Sequence, residues 1–452
     1  MSKTKSRLSK LRRIRGIRGI RGIGLDLSLL RRVRDFRLLF SSGLVSGLGS
    51  MITYVALPYQ VKEITGSYVA VGLMGAAELI PLIVFGLYGG VLADSVDRRK
   101  LILIGESCAL CLSLMLLINA QLTNPHLWVL YLVGGAFAGV NGLRGPSMSA
   151  VIPRIVSHQD LPAASAIMGL RYQIPVITGP ALGGIIISIW GVTPAFSIDV
   201  ISYVLSLILL LQISRIPPSE KATPPSIGAL FEGIKYASSR QDLMGTYLID
   251  LAAMFFAMPT ALFPFWADQL HSPQSLGFLY SAGTVGAFLV TVTSKWTLKV
   301  HHHGRAIIFA ALVWGVSIAL AGIYDNVYWV LLCLVASGAA DHVSVIFRAT
   351  IWNQTIPDEL RGRLAGIELL SYAVGPIGGQ MRAGGMAAVT GLRGAVIGGG
   401  LLCVASVTAL SSVLPKFRKY DGRTDQYAVS EREIRTARAL SELKTEKPAD
   451  EK

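Results

Sequence analysis

The chain alternates long apolar stretches with short polar joints. Apolar runs fall at 37–58, 68–92, 101–121, 127–147, 165–190 and 195–214. A polar stretch then runs from Ile216 to Arg240, with Pro217-Pro218 and Pro224-Pro225 inside it. Six more runs follow at 243–265, 274–293, 305–323, 328–350, 363–382 and 393–414. Each is near the ~20 residues that a helix needs to cross the hydrocarbon core. The pattern predicts an all-α integral membrane protein of twelve transmembrane helices. Its expected parts are a basic tail (1–35), a six-helix half (36–215), a linker (216–242), a second six-helix half (243–415) and a charged tail (416–452).

The two halves resemble each other in sequence. Arg144 precedes Val151-Ile152-Pro153 at the same spacing as Arg348 precedes Thr355-Ile356-Pro357. Further on, Gly179-Pro180-Ala181-Leu182-Gly183-Gly184 has a counterpart in Gly375-Pro376-Ile377-Gly378-Gly379. Such a repeat predicts two pseudo-symmetric halves that rock against each other around a cavity near the membrane midplane.

Composition supports the membrane reading: 52% of residues are hydrophobic, 15% are charged, and mean hydropathy is +0.54. The net charge of +15 does not point to nucleic acid, because the cations gather at the ends and in every second loop. That distribution places both termini in the cytoplasm. The first span is expected to serve as an uncleaved signal-anchor. The basic start, with its Arg-Gly-Ile repetition, is expected to enforce orientation, and anionic lipid headgroups are a second partner for it.

The signals for other chemistry are weak. Cys108-x-x-Cys111 lacks a second ligand pair, and packing is the expected role of all four cysteines. Neighbouring residues in His301-His302-His303 cannot all point at one ion, so the cluster is expected to be a solvated loop and no metal site is predicted. No phosphate loop, zinc-protease helix or nucleophile elbow is present, so neither an enzyme nor a cofactor is expected and an ion gradient must supply the energy.

Several stretches carry a resemblance. Gly90-x-x-x-Asp94-x-x-x-Arg98-Arg99 is similar to the loop signature between helices 2 and 3 of the major facilitator superfamily, and Gly179-Pro180-x-x-Gly183-Gly184 to the helix-5 signature of its antiporters. Phe36-Arg37-Leu38-Leu39-Phe40, Val55-Ala56-Leu57-Pro58, Ala77-Glu78-Leu79-Ile80-Pro81 and Pro357-Asp358-Glu359-Leu360-Arg361-Gly362-Arg363 resemble the branch of enterobactin exporters and macrolide-efflux-like proteins. The loop motif departs from the family pattern at Ser95 and Asp97, and its second copy, Ser294 to Arg305, has lost the acidic residue. The resemblance implies an inner gate centred on Asp94, with the start of helix 11 as its partner, Arg98 orienting it and Arg99 touching lipid phosphate or acids. For Gly179, Pro180, Gly183 and Gly184 it implies a helix-5 bend that favours export. The competing reading of the loop is a topology-setting charge cluster.

Ionisable groups inside the spans are costly and therefore functional candidates. Glu78 and Asp250 lie well inside their spans and are candidates for the proton or substrate site. Asp199 is nearer the outer end, and Asp341-His342 is a further pair. Glu106, Arg144, Arg171, Arg348 and Glu368 fall towards the cytoplasmic ends, as a charge network with Asp94. Tyr54, Tyr59, Phe263, Trp266 and Phe278 are candidates to line a cavity, with an ordinary core or interface role the stronger reading for each taken singly.

Together these features predict a monomeric transporter in the cell membrane. It exports an amphipathic small molecule of drug, macrolide or siderophore type by alternating access, in exchange for protons. A proton-coupled importer is the alternative, and a non-transporting sensor or multi-span enzyme a more distant one.

Overall fold

The computed structural model describes the backbone of residues 27–95, 97–214 and 235–445, without the side chains of 87–96, 98, 144–150, 358–359, 361–363, 365–370, 372 and 438–445. Every apolar run expected from the sequence is helical over most of its length. In order they are α1 (Arg34–Thr65), α2 (Tyr68–Ser95), α3 (Arg98–Gln121), α4 (Leu127–Ile155), α5 (Leu161–Trp190) and α6 (Val192–Leu210). After the linker come α7 (Gln241–Ala257), α8 (Ser275–Thr293), α9 (His303–Ala321) and α10 (Val327–Thr355). A last continuous stretch, Asp358–Val413, breaks at Gly391 (φ 75°, ψ 171°) into α11 (358–390) and α12 (392–413). A left-handed residue ends α1 in the same way, at Gly66 (φ 59°), where glycine meets no Cβ penalty. Among the described residues ten helices are long and apolar enough to span a membrane, the last of them broken at Gly391, and Leu127–Leu143 is a shorter apolar run. With no strand among the described residues, the fold is all-α and spans the membrane many times.

Proline sets where α7 stops. Met258 is extended (φ −96°, ψ 102°), and Pro259 has no N–H to continue the ladder. The chain re-enters helix through Thr260–Leu262 and Phe263–Gln269. Arg382 of α11 donates to the carbonyl of Phe255 near this break, 3.2 Å away.

We call the end at which α1 begins the inner end, following the orientation expected from the charges. Within the first six helices, α1 packs on α5 and α6, α2 on α4, and α3 on α4 and α6. In the second six, α8 and α9 pack on α10, and α7 on α11 and α12. The repeated glycines do the same work in each set. A Cβ on Gly179 of α5 would lie 2.4 Å from Met51 of α1, and one on Gly379 of α11 would lie 2.4 Å from the Met254 carbonyl of α7. Small residues thus let the first helix of each set approach closely.

The two sets meet closely at the outer end. Gly184 of α5 faces Gly277 of α8, with a Cβ on either only 2.1 Å from the other helix's backbone, and Gly72 of α2 faces Gly384 of α11. The rings of Tyr68 and Phe265 meet at 4.3 Å between centres, tilted by 43°. Lys62 of α1 pairs there with Asp268 of the short helix after α7.

The tail after α12 is folded, where the sequence suggested only a charged extension. Pro415–Arg418 forms a turn of helix, and α13 (Gln426–Thr445) follows. Phe417 is fully buried in a hollow left by Gly245 of α7 and Gly304 of α9, whose added Cβ atoms would fall 2.2 Å and 1.9 Å from it. Arg240, at the start of α7, lies over the Tyr427 ring of α13 at 3.7 Å and bonds the Asp242 carboxylate and the Thr355 carbonyl. Arg435 of α13 donates to the carbonyls of Asn353 and Ile356. Two arginines therefore serve the unpaired carbonyls at the C-terminus of α10, where a positive charge is favoured.

The histidine cluster belongs to this junction and is not a solvated loop. His303 is buried and stacks on Phe347, and His302 Nδ1 lies 3.6 Å from the Asp421 carboxylate. No metal-holding group of three ligands occurs among the described residues.

Candidate functional site

A cavity of about 290 Å³ opens between the two sets of helices. Ser50, Tyr54 and Leu57 of α1, Glu78 of α2, Phe137 and Asn141 of α4 and Tyr203 of α6 form most of its wall. The second set contributes Thr260, Ala261, Tyr280 of α8 and Gln380 of α11. The tyrosines are held in place. Tyr54 meets Tyr280 edge-on at 5.4 Å, Tyr280 is braced from behind by Phe263 at 4.9 Å, and its hydroxyl donates to the Thr260 carbonyl at 3.1 Å. On the opposite wall the Tyr203 hydroxyl shares a 2.7 Å hydrogen bond with Ser50.

The acids inside the bundle separate into two kinds. Asp199 of α6 is fully buried and accepts from Thr53 of α1 at 2.8 Å and Ser113 of α3 at 2.6 Å, so it ties three helices together. Glu106 of α3 accepts from Ser206 of α6. Asp250 of α7 pairs with Arg348 of α10 and accepts from Ser371 of α11 at 3.2 Å, while Asp341 lies 4.0 Å from the same arginine. His342, next to Asp341 on α10, turns away to Thr291 of α8 at 2.8 Å, so the two do not face each other. Glu78 differs from all of these. It lines the cavity, and no described residue gives its carboxylate a hydrogen bond or an ion pair.

Of the expected cavity aromatics, Tyr54 alone lies in the wall. Phe263 stands behind Tyr280, Trp266 is buried against Phe263, Tyr59 lies under the Lys62 ammonium, and Phe278 is exposed on the outer surface of the bundle. Sequence reasoning missed Asn141, Tyr280 and Gln380. The amides carried a readable signal, since each is an uncharged polar side chain inside an apolar run. Cys108 and Cys111 are exposed on the face of α3, while Cys333 and Cys403 are buried.

The side chains of Gly90, Asp94, Arg98, Arg144 and Glu368 lie outside the described residues. Arg99 is described, and its guanidinium donates to the Leu211 carbonyl that ends α6, at 2.7 Å. Asp97, the departure from the family pattern, caps α3 by accepting from the Arg99 N–H at 2.9 Å. Arg171 of α5 lies over Gly43 of α1, where a Cβ would meet its guanidinium. Pro180, between Gly179 and Gly183, sets its carbonyl against Gly277 of α8, so the helix-5 motif faces α1 on one side and the second set on the other.

Comparison with known proteins agrees with this architecture. The profile of a family described as transmembrane secretion effector matches residues 28–438. The enterobactin exporter EntS of Shigella dysenteriae serotype 1 (strain Sd197) is 28% identical over 419 residues, covering 90% of this chain and 98% of that protein. A POT family transporter solved with 5-aminolevulinic acid superposes with a TM-score of 0.69 at 13% identity, covering 85% of this chain and 97% of its own. A bacterial homologue of the iron transporter ferroportin, in an inward-facing state, gives 0.62 at 15%, covering 85% and 98%.

Proposed function

Because the chain belongs to the transmembrane secretion effector family of major-facilitator-type transporters, we propose that it exports an amphipathic small molecule of drug, macrolide or siderophore type across the cell membrane. Export proceeds by alternating access in exchange for protons, through a monomer with both termini in the cytoplasm. The observation that carries this reading is the cavity between the two sets of helices, with aromatic walls and the unpaired Glu78 carboxylate inside it. An apolar pocket with a few convergent polar groups suits such a ligand. A carboxylate without a partner at that depth is stable only when a proton or a ligand satisfies it.

In this mechanism the outer end is held shut by Lys62–Asp268, Tyr68–Phe265 and the paired glycines. The inner gate is the Gly90–Arg99 stretch, with Asp94 meeting the positive N-terminal end of α11 when the inner end closes. Glu106, Arg144, Arg171, Arg348 and Glu368 hold the conformations on either side of that movement. Asp199, Asp250 and Asp341 stabilise their own sets, and the coupling proton resides on Glu78.

Uptake into everted vesicles tests the reading. With the vesicle interior made acid, accumulation of a macrolide or of enterobactin is expected, and collapse of the gradient abolishes it. Uptake that ignores the gradient overturns proton exchange, and uptake driven by the opposite gradient identifies an importer.

A further inference from the structure

Two stretches at the inner end of the second set gather cations. The joint between α8 and α9, Ser294–Lys299, is a 3-10 turn with Lys295 and Lys299 exposed, and Arg305 is exposed in the first turn of α9. Lys416, Arg418 and Lys419 are exposed on the turn after α12. The two stretches interlock. Phe417 is seated at Gly304, the Tyr420 ring lies 5.8 Å from that of His303, and the Gly422 N–H donates to the His301 carbonyl at 3.2 Å.

Among the described residues, none of these six side chains has an ion pair or a hydrogen bond. The acids nearby are engaged elsewhere: Asp421 with Arg423 and His302, Asp242 with Arg240, and Asp425 with the N–H groups that open α13. Other arginines at this end act inside the fold, Arg99 on the Leu211 carbonyl and Arg435 on those of Asn353 and Ile356. Two apolar side chains alternate with the lysines of the joint. Trp296 is 42% exposed and Leu298 78%, and Trp296 meets Phe347 of α10 at 6.2 Å, which ties the joint to the bundle.

We propose that this surface binds anionic phospholipid of the inner leaflet. The joint begins where α8 ends, Arg305 opens α9, and Lys416 stands three residues past α12, so the cations lie where hydrocarbon gives way to headgroups. Lys299, Arg305 and Arg418 hold the phosphates. Trp296 and Leu298 enter the boundary beneath them, the depth that suits an amphipathic ring. Topology requires cations on this side, but not that they be unpaired, drawn from two interlocked stretches and set beside exposed apolar groups. The second copy of the loop signature, having lost its acid, thus serves the membrane and not a gate. The proposal rests on the orientation expected from the charges and is independent of what is exported.

Purified full-length protein in nanodiscs tests this through Trp296, whose emission is the part that Trp296→Phe removes. One basic residue favours an anionic surface about fivefold, so brominated phosphatidylglycerol should quench Trp296 at a mole fraction about fivefold or more below that of brominated phosphatidylcholine. Lys299→Gln with Arg305→Gln and Arg418→Gln should abolish the difference. Lys299→Arg with Arg305→Lys and Arg418→Lys keeps the charges, should retain it, and serves as the folding control. Arg31→Gln with Arg34→Gln, ahead of α1, should retain it too. Loss of the difference in that variant would assign the lipid to the start of the chain and overturn the proposal. Equal quenching by the two lipids in wild type, or a difference that survives the triple glutamine variant, also overturns it. If the triple variant does not fold, Lys295→Gln with Lys419→Gln should shrink the difference, and an unchanged difference overturns the proposal. Soluble glycerophosphoglycerol, a headgroup without chains, is expected not to relieve the quenching; full relief would show that no membrane component is needed.

Discussion

Lys62 of α1 and Asp268 of the helix after α7 form an ion pair that joins the first six helices to the last six at the outer end. The lysine is 13% exposed and also touches Glu63 at 2.8 Å, while the aspartate is 49% exposed. A half-exposed pair contributes about 1 kcal/mol or less. That is still a several-fold shift between two conformations of similar energy. Asp268→Asn should therefore populate the outward-open form several-fold more, read as a longer distance between spin labels on the outer ends of α1 and α7. The exchanged pair Lys62→Asp with Asp268→Lys should restore the short distance.

The Asp250–Arg348 pair is almost fully buried, so its removal should act on stability. Taking away one partner leaves an uncompensated charge in the bundle, at a cost of about 3–5 kcal/mol. Arg348→Leu is expected to lower the unfolding temperature of the purified protein strongly. The double variant with Asp250→Asn should recover a large part of the loss, and an additive double variant would contradict the pairing.

Gly184 and Gly277 bring α5 and α8 together at the outer end, with no room for a methyl group between them. Overpacking of this kind costs about 1–3 kcal/mol, here in the closed outer end alone. Gly184→Ala should insert normally and yet slow transport roughly tenfold or more by that energy scale. Equal flux per inserted molecule would show that the helices part there at no cost.

The tail offers a pH test outside the membrane. Hydrogen bonds from the Arg423 side chain and backbone N–H hold the Asp421 carboxylate below the usual range. A lowered carboxylate pKa stabilises the folded form above the ordinary value, and the contribution fades only as pH falls beneath it. Protease resistance of residues after Leu414 should thus stay constant from pH 8 to about pH 5, above the ordinary carboxylate range. Arg423→Ala should make the tail more cleavable across that range.

The helices were legible because an apolar run of membrane-spanning length has few alternatives. The repeat was legible as well, since Gly179-Pro180 and Gly375-Pro376 recur in matching surroundings and pack against the first helix of their sets. The cavity was less so. Apolar character alone does not say which face of a span looks inward, so it did not separate Tyr54, in the wall, from Tyr59, Phe263, Trp266 and Phe278, which lie outside it. The cost of a charge inside a span marks Glu78 in the sequence, whereas the uncharged Asn141 and Gln380 stand out less. The fold of the tail was not legible, because its charged residues form no apolar run and the two glycines that receive Phe417 lie far away in sequence.

That distance along the chain also gives an order of events. Phe417 is synthesised after all twelve apolar runs, so the hollow at Gly245 and Gly304 stays empty while α7 to α12 enter the bilayer. The second set must first assemble on its own helix contacts. The tail then closes it from the inner side, and the completed chain is the first form in which the ends of α7, α9 and α10 are locked together.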